Sequence, residues 1–271
     1  MTAVKKVFLV LVLIAGVTSC SDYNKVVKGD DYGKKFESAN ALFDKGQFLR
    51  SITLYEQIYQ RMPKTGEGEL SYFRIGKAYF EEEDYYMAGY YMGAFTQRFP
   101  FSPKAQEAMF LSAMCSVKNS PEESLDQTET EVAINNLQQF IDTYPNSELI
   151  DSCNHIMDKL RFKLESKDYH GVKQYAKTEN YRAAVMSAMT FLDDFPRSTF
   201  KEEVSFILVK NSQLLTQNSV EDKKCERIEQ TIERYRTFVT EFPNSQYKRE
   251  ADNIHDEMQK DFEVLCTQVK K

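Results

Sequence analysis

Five times this chain writes a hydrophobic helix pattern that stops at a proline with a hydroxyl residue two positions later. The motifs are Met62-Pro63-Lys64-Thr65, Phe99-Pro100-Phe101-Ser102, Tyr144-Pro145-Asn146-Ser147, Phe195-Pro196-Arg197-Ser198 and Phe242-Pro243-Asn244-Ser245. Proline stops a helix and the hydroxyl beyond it caps the next, so each motif predicts a stop followed by a start. Pro103, directly after Ser102, suits a first helical position. Five residues before each proline stand Ile58, Phe95, Phe140, Phe191 and Phe238, and twelve before stand Ser51, Ala88, Ala133, Ala184 and Thr231. A ring or β-branched residue and a small residue at fixed helical offsets predict one face that packs closely on the preceding helix.

Composition agrees with a helical repeat. Seven prolines and ten glycines, of which only Gly171 lies beyond residue 93, are too few for the tight turns of a β-sandwich or barrel. The net charge of −6 leaves no basic footprint, so no nucleic acid is expected as a partner. Lys5 and Lys6 followed by the apolar run Val7 to Val17 read as an export leader over 1–19, and Val17-Thr18-Ser19-Cys20 resembles a lipobox whose cysteine is acylated after cleavage. Removing the leader takes the charge to −8. An acylated Cys20 anchors the chain through its lipid alone, at about 0.8 kcal/mol per buried CH₂. Residues 20–31 then read as a lipidated flexible tether.

The repeat itself resembles the tetratricopeptide repeat. Tyr72, Ile75, Gly76, Tyr79, Ala88, Met92, Phe95 and Pro100 fall at that motif's spacing. The resemblance implies an all-α, right-handed superhelical solenoid of about five helix hairpins plus a C-terminal capping helix. Helix turns are expected at 44–48, 82–85 and 178–181. The N-terminal repeats and the start of the third occupy 32–118, and 119–271 holds the rest. Ser120-Pro121-Glu122-Glu123 and Thr128-Glu129-Thr130-Glu131 read as capping boxes, which predicts a short extra helix near Pro121 to Leu125. With no proline between Pro145 and Pro196, Glu148 to Lys177 reads as one helix about 45 Å long that braces two halves of the array. Gln246 to Cys266 reads as the terminal cap.

Lipobox, tether, five repeats, an insertion in the third and a long helix in the fourth together resemble the BamD family of outer-membrane-protein assembly lipoproteins. Ala41 to Phe48, Phe99 to Pro103, Gln139 to Ser147 and Asn180 to Val185 carry the likeness. It implies a non-enzymatic, cofactor-free scaffold on the periplasmic face of the outer membrane. Its implied partners are the POTRA domains of a BamA-like barrel, held by the C-terminal repeats, and unfolded outer-membrane protein precursors, met by the N-terminal repeats. Tetratricopeptide register places Phe36, Asn40, Phe43, Leu70, Phe73, Lys77 and Phe80 on a concave face. Rings with one lysine suit a precursor that ends in an aromatic residue and a free carboxylate. The alternative is that these rings pack against the tether or one another. Met62 stands where the family has an aromatic residue, and Ser187 where it uses an arginine toward the POTRA domain, with Arg182 nearby as a substitute.

Catalytic chemistry is not indicated. His155, His170 and His255 are isolated, and Gly66-Glu67-Gly68 reads as a loop with acid where a phosphate cradle needs lysine. Cys115, Cys153, Cys225 and Cys266 contain no C-x-x-C; buried free thiols are favoured, with three pairings open in an oxidising compartment. Two further classes remain: a periplasmic repeat adaptor for another envelope-assembly or division complex, and a glycan-binding lipoprotein. The first commonly carries a coiled coil before the repeats and the second tryptophan platforms; neither is in this sequence.

Overall fold

A computed structural model describes residues 22–266, and every regular element among them is an α-helix. The leader and Cys20 lie outside the described residues. Helix α1 covers 22–28, followed by α2 (Tyr32–Asp44), α3 (Phe48–Arg61), α4 (Gly66–Glu81), α5 (Tyr85–Arg98) and α6 (Ala105–Asn119). Then come α7 (Thr128–Thr143), α8 (Ile150–Lys177), α9 (Tyr181–Asp194), α10 (Lys201–Gln217), α11 (Glu221–Glu241) and α12 (Lys248–Leu265). The chain divides into two compact units, one ending at Met157 and the other starting at Asp158, so α8 contributes to both. No described helix is long and apolar enough to cross a membrane.

The expected core face is the core. Ile58, Phe95, Phe140, Phe191 and Phe238 are at most 1% exposed, as are Ser51, Ala88, Ala133, Ala184 and Thr231. Each hairpin therefore seats one large side chain seven residues after a small one, two helical turns along the same face.

The turns follow the sequence where the chain reverses within a hairpin. Gly46, Glu83 and Glu179 occupy one equivalent position, and all three adopt positive φ, at 70°, 60° and 58°. A left-handed residue closes each helix, and only the first turn uses the residue without a Cβ penalty. Glu83→Gly and Glu179→Gly should each stabilise the unit that holds it by about 0.5–1 kcal/mol, read as a shift in urea midpoint at constant slope. Unchanged midpoints would show that the glutamates' own contacts offset the strain.

Three local expectations are corrected. Residues 121–125 form no helix: the amide of Gln127 donates to the carbonyls of Glu122 (2.7 Å) and Leu125 (3.0 Å), so one side chain satisfies groups that a helix would otherwise pair. Ser120, read as a cap, instead meets Thr130 Oγ1 at 2.6 Å, and the Asp126 carboxylate, not Thr128, accepts from the first amide of α7 at 3.0 Å. Gly66 to Gly68 is not a loop but the first turn of α4, capped by Thr65 Oγ1, which accepts from Gly68 N at 3.1 Å.

The serines after the prolines also differ from Thr65. Ser102, Ser147, Ser198 and Ser245 each accept from the amide two residues on, at 3.1, 3.2, 2.9 and 3.0 Å, and the helix begins one residue later. They close a turn just outside the helix, and Pro103 sits in that turn rather than at the first helical position.

Residues read as tether are helical from 22 to 28. Tyr23, Val26 and Val27 pack against the cluster built on Ala39, Ile52, Leu54 and Tyr55. Lys35, only 4% exposed, donates to the Val27 carbonyl at 2.9 Å and to Gln57, with its amine over the Tyr32 ring. An ammonium against the carbonyls that end a helix completes α1 and holds it to α2.

Candidate functional site

Successive repeats are joined by three recurrent contacts, which decide what the expected groove residues are free to do. The first joins the post-proline hydroxyl to a residue on the preceding repeat's first helix. Ser102 donates to Glu69 (2.5 Å), Ser198 to Glu165 (2.5 Å) and Ser245 to Glu202 (2.6 Å), while Ser147 accepts from the Gln106 amide (2.8 Å). The second is an ion pair: Lys77 to Glu107 (2.9 Å), Lys173 to Glu203 (2.9 Å) and Lys210 to Glu250 (2.8 Å). The third sets a ring under the next repeat's entry, with Lys104 over Phe73, Phe200 stacked on Tyr169 at 4.1 Å, and Tyr247 stacked on Phe206 at 4.6 Å.

Register explains the set. Glu69, Gln106 and Glu202 stand six residues after their proline; Phe73 and Phe206 stand ten after, and Lys77 and Lys210 fourteen after. In the long helix α8 the same three roles fall to Glu165, Tyr169 and Lys173, each fourteen residues later than that rule places it. Fourteen residues are close to four helical turns, so the later residues keep nearly the face that the rule assigns.

The expected groove residues divide accordingly. Phe73 is 3% exposed and meets Phe95 edge-on, so it belongs to the core and offers no open ring. Lys77 is a rung of the ion-pair series. Asn40, its counterpart in the first repeat, accepts from Tyr55 OH (2.8 Å) and Arg74 (2.7 Å). The Arg74 guanidinium lies over the Phe43 ring, which also meets Phe48 edge-on at 5.2 Å. Burial pushes the Tyr55 hydroxyl above its usual range, against the hydrogen bond from Arg74. Phe36 and Phe43 pack against the same buried cluster as the α1 residues Tyr23 and Val26, while Phe80, half-buried, meets Tyr85 at 5.5 Å. The structure therefore joins Asn40 and Phe43 to one network through Arg74, sets Phe36 against the first cluster, and keeps Phe73 and Lys77 in repeat-to-repeat contacts.

Met62, where the family has an aromatic residue, is half-buried against the first cluster; of the positions read for the POTRA partner, Ser187 donates to its own helix at Ala184 O and Arg182 is exposed on α9. The cysteines split: Cys225 and Cys266 form a disulfide, correcting the expectation of free thiols for that pair, and Cys115 and Cys153 are buried and free. Burial pushes the Cys115 thiol up to about 12, which keeps it protonated and unreactive at neutral pH. His255 stacks on Tyr235 at 4.3 Å, and Tyr235 OH donates to Asp252 of α12 at 2.8 Å. Among the described residues no group of three His, Cys, Asp or Glu could hold a metal.

Comparison with known proteins adds two findings. Residues 30–226 and 172–262 match the YfiO family, described as outer membrane lipoprotein. The outer membrane protein assembly factor BamD of Caulobacter vibrioides is 23% identical over 167 residues, 62% of this chain. That match spans 55% of the relative's own length.

Proposed function

The chain belongs to the YfiO family of outer membrane lipoproteins, and from that premise we propose that it is a non-catalytic scaffold of the machinery that assembles β-barrels in the outer membrane. The observation that carries this reading is the family match across almost the whole repeated body, from residue 30 to 262. The Cys225–Cys266 bond supports an oxidising compartment, which fits a chain exported by its leader and held at the periplasmic face through Cys20. In this reading the C-terminal repeats hold the POTRA domains of the barrel subunit, and the N-terminal repeats meet unfolded barrel precursors.

Precursor contact falls to the half-buried rings of Phe36, Phe43 and Phe80, because Phe73 is core and Lys77 is already paired. Affinity purification of the lipidated protein in mild detergent should bring down a POTRA-containing barrel; a stable complex without one would reject the scaffold assignment. Within it, Phe80→Ala should weaken binding of a barrel-precursor C-terminal peptide about fivefold or more with the unfolding midpoint nearly unchanged. Equal affinity would remove Phe80 from the precursor surface.

A further inference from the structure

In the second unit a recess of about 260 Å³ opens between α9, α10 and α11. Leu192, Leu208 and Phe238 form its apolar wall, and the Arg234 guanidinium enters from α11. We propose that this recess receives the carboxylate of an Asp or Glu side chain, carried on an apolar-flanked segment of a partner protein.

Arg234 carries the argument. One of its amino groups donates to Ser212 Oγ at 2.7 Å and the other contacts Met189 Sδ at 3.3 Å. Ser212 is 2% exposed and donates onward to Leu208 O at 2.6 Å, so it holds the guanidinium in place without neutralising it. No carboxylate among the described residues pairs with Arg234. Glu233, on the rim, is paired with Arg236 at 3.5 Å. Three other cations that join two repeats in this unit, Lys173, Lys201 and Lys210, each have an acid partner. A guanidinium kept partly out of water without a counter-ion is costly, and the cost shows in its proton affinity, which burial lowers.

Size and rim select the occupant. About 260 Å³ is smaller than the roughly 300–1,000 Å³ typical of small-molecule sites and suits one or two side chains. Met189, which touches the guanidinium, is 38% exposed, and Met186, one helical turn before it on α9, is 57% exposed; both are unbranched and polarizable and adapt to an apolar neighbour of the acid. The planar fork of arginine adds geometric selection for a carboxylate that a lysine would not supply.

The test is selection of random linear peptides displayed against the immobilised full-length protein. Enriched sequences should carry Asp or Glu beside an apolar residue, and their synthetic forms should lose about tenfold or more in affinity on Arg234→Gln. Arg234→Lys should lose less, and Arg234→Glu should instead enrich Lys or Arg sequences. Met186→Ala, which leaves the contact of Met189 with the guanidinium in place, should weaken the same peptides several-fold while the melting curve is retained, which separates binding from folding. Peptides without an acid, acidic peptides indifferent to Arg234→Gln, or competition by free acetate alone would each overturn the proposal.

Discussion

Reduction of the Cys225–Cys266 bond is expected to remove about 4 kcal/mol from the second unit and almost nothing from the first. The two cysteines are 41 residues apart, and in the chain-entropy account a cross-link of that span restricts the unfolded ensemble by about this amount. The placement makes the loss local. Residues 221–227, the first turns of α11, carry no fully buried side chain before Ile228, and Cys266 directly follows α12. Without the bond, these two ends rely on the cluster around Phe206, Ile228, Ile254 and Met258, on the Tyr235–His255 stack, and on polar ties such as those from Tyr235 to Asp252, from Lys210 to Glu250 and from Gln213 and Gln217 to Glu257. Hydrogen exchange with and without reductant is the measurement. Amides of α11 and α12 should lose protection while those of α2 to α5 hold theirs. Equal protection in both states would mean that packing alone fixes the terminal helix.

Gly68→Ala is expected to cost the first unit about 3 kcal/mol, and Gly66→Ala, two residues earlier, to stabilise it by roughly 0.5 kcal/mol. A Cβ at Gly68 would lie 1.9 Å from Met62 O, a backbone atom at the end of α3, and 3.2 Å from the Cα of Pro63. The same carbonyl accepts from Thr65 N at 3.2 Å and from Thr65 Oγ1 at 3.0 Å, so moving it would also disturb the cap of α4. At Gly66 nothing stands within 4 Å, and a methyl group there only narrows the unfolded chain's choices. Chemical unfolding of the two variants should shift the midpoint in opposite directions; a shift of the same sign would show that α4 can start elsewhere.

Those two glycines also show where sequence reading stopped. Glycine after a proline motif is the ordinary signal of a loop, and the alternative, close approach of two backbones, depends on where the end of α3 lies in space. The prolines, the small residue twelve before and the ring five before were legible because each is a local demand of a helix hairpin, repeated five times. Contacts between repeats were not, because the period varies: the prolines are 37, 45, 51 and 47 residues apart, and the acid, ring and lysine in α8 lie fourteen residues beyond their usual offsets. The concave-face assignment failed at Phe73 for a related reason. The positions that line a concavity also touch the next repeat, and the pattern along one helix cannot say which use prevails. The segment 121–125 misled differently, since two capping boxes are sound local signals that the Gln127 side chain overrides. Pairing of Cys225 with Cys266 rests on the way α12 returns beside α11, which no spacing rule encodes.

The docking of α1 has a consequence for reach. Helix begins at residue 22 and is fixed to the first hairpin through Tyr23, whose hydroxyl donates to Arg50 O, and through Lys35. If Cys20 carries the lipid, only Ser21 lies between the lipidated residue and the described helix, a span of at most about 7 Å. That is shorter than the width of one helix. The first hairpin would then ride on the headgroups, and partners would be found by lateral diffusion in the plane of the leaflet, since the anchor leaves the body no volume of its own to sweep.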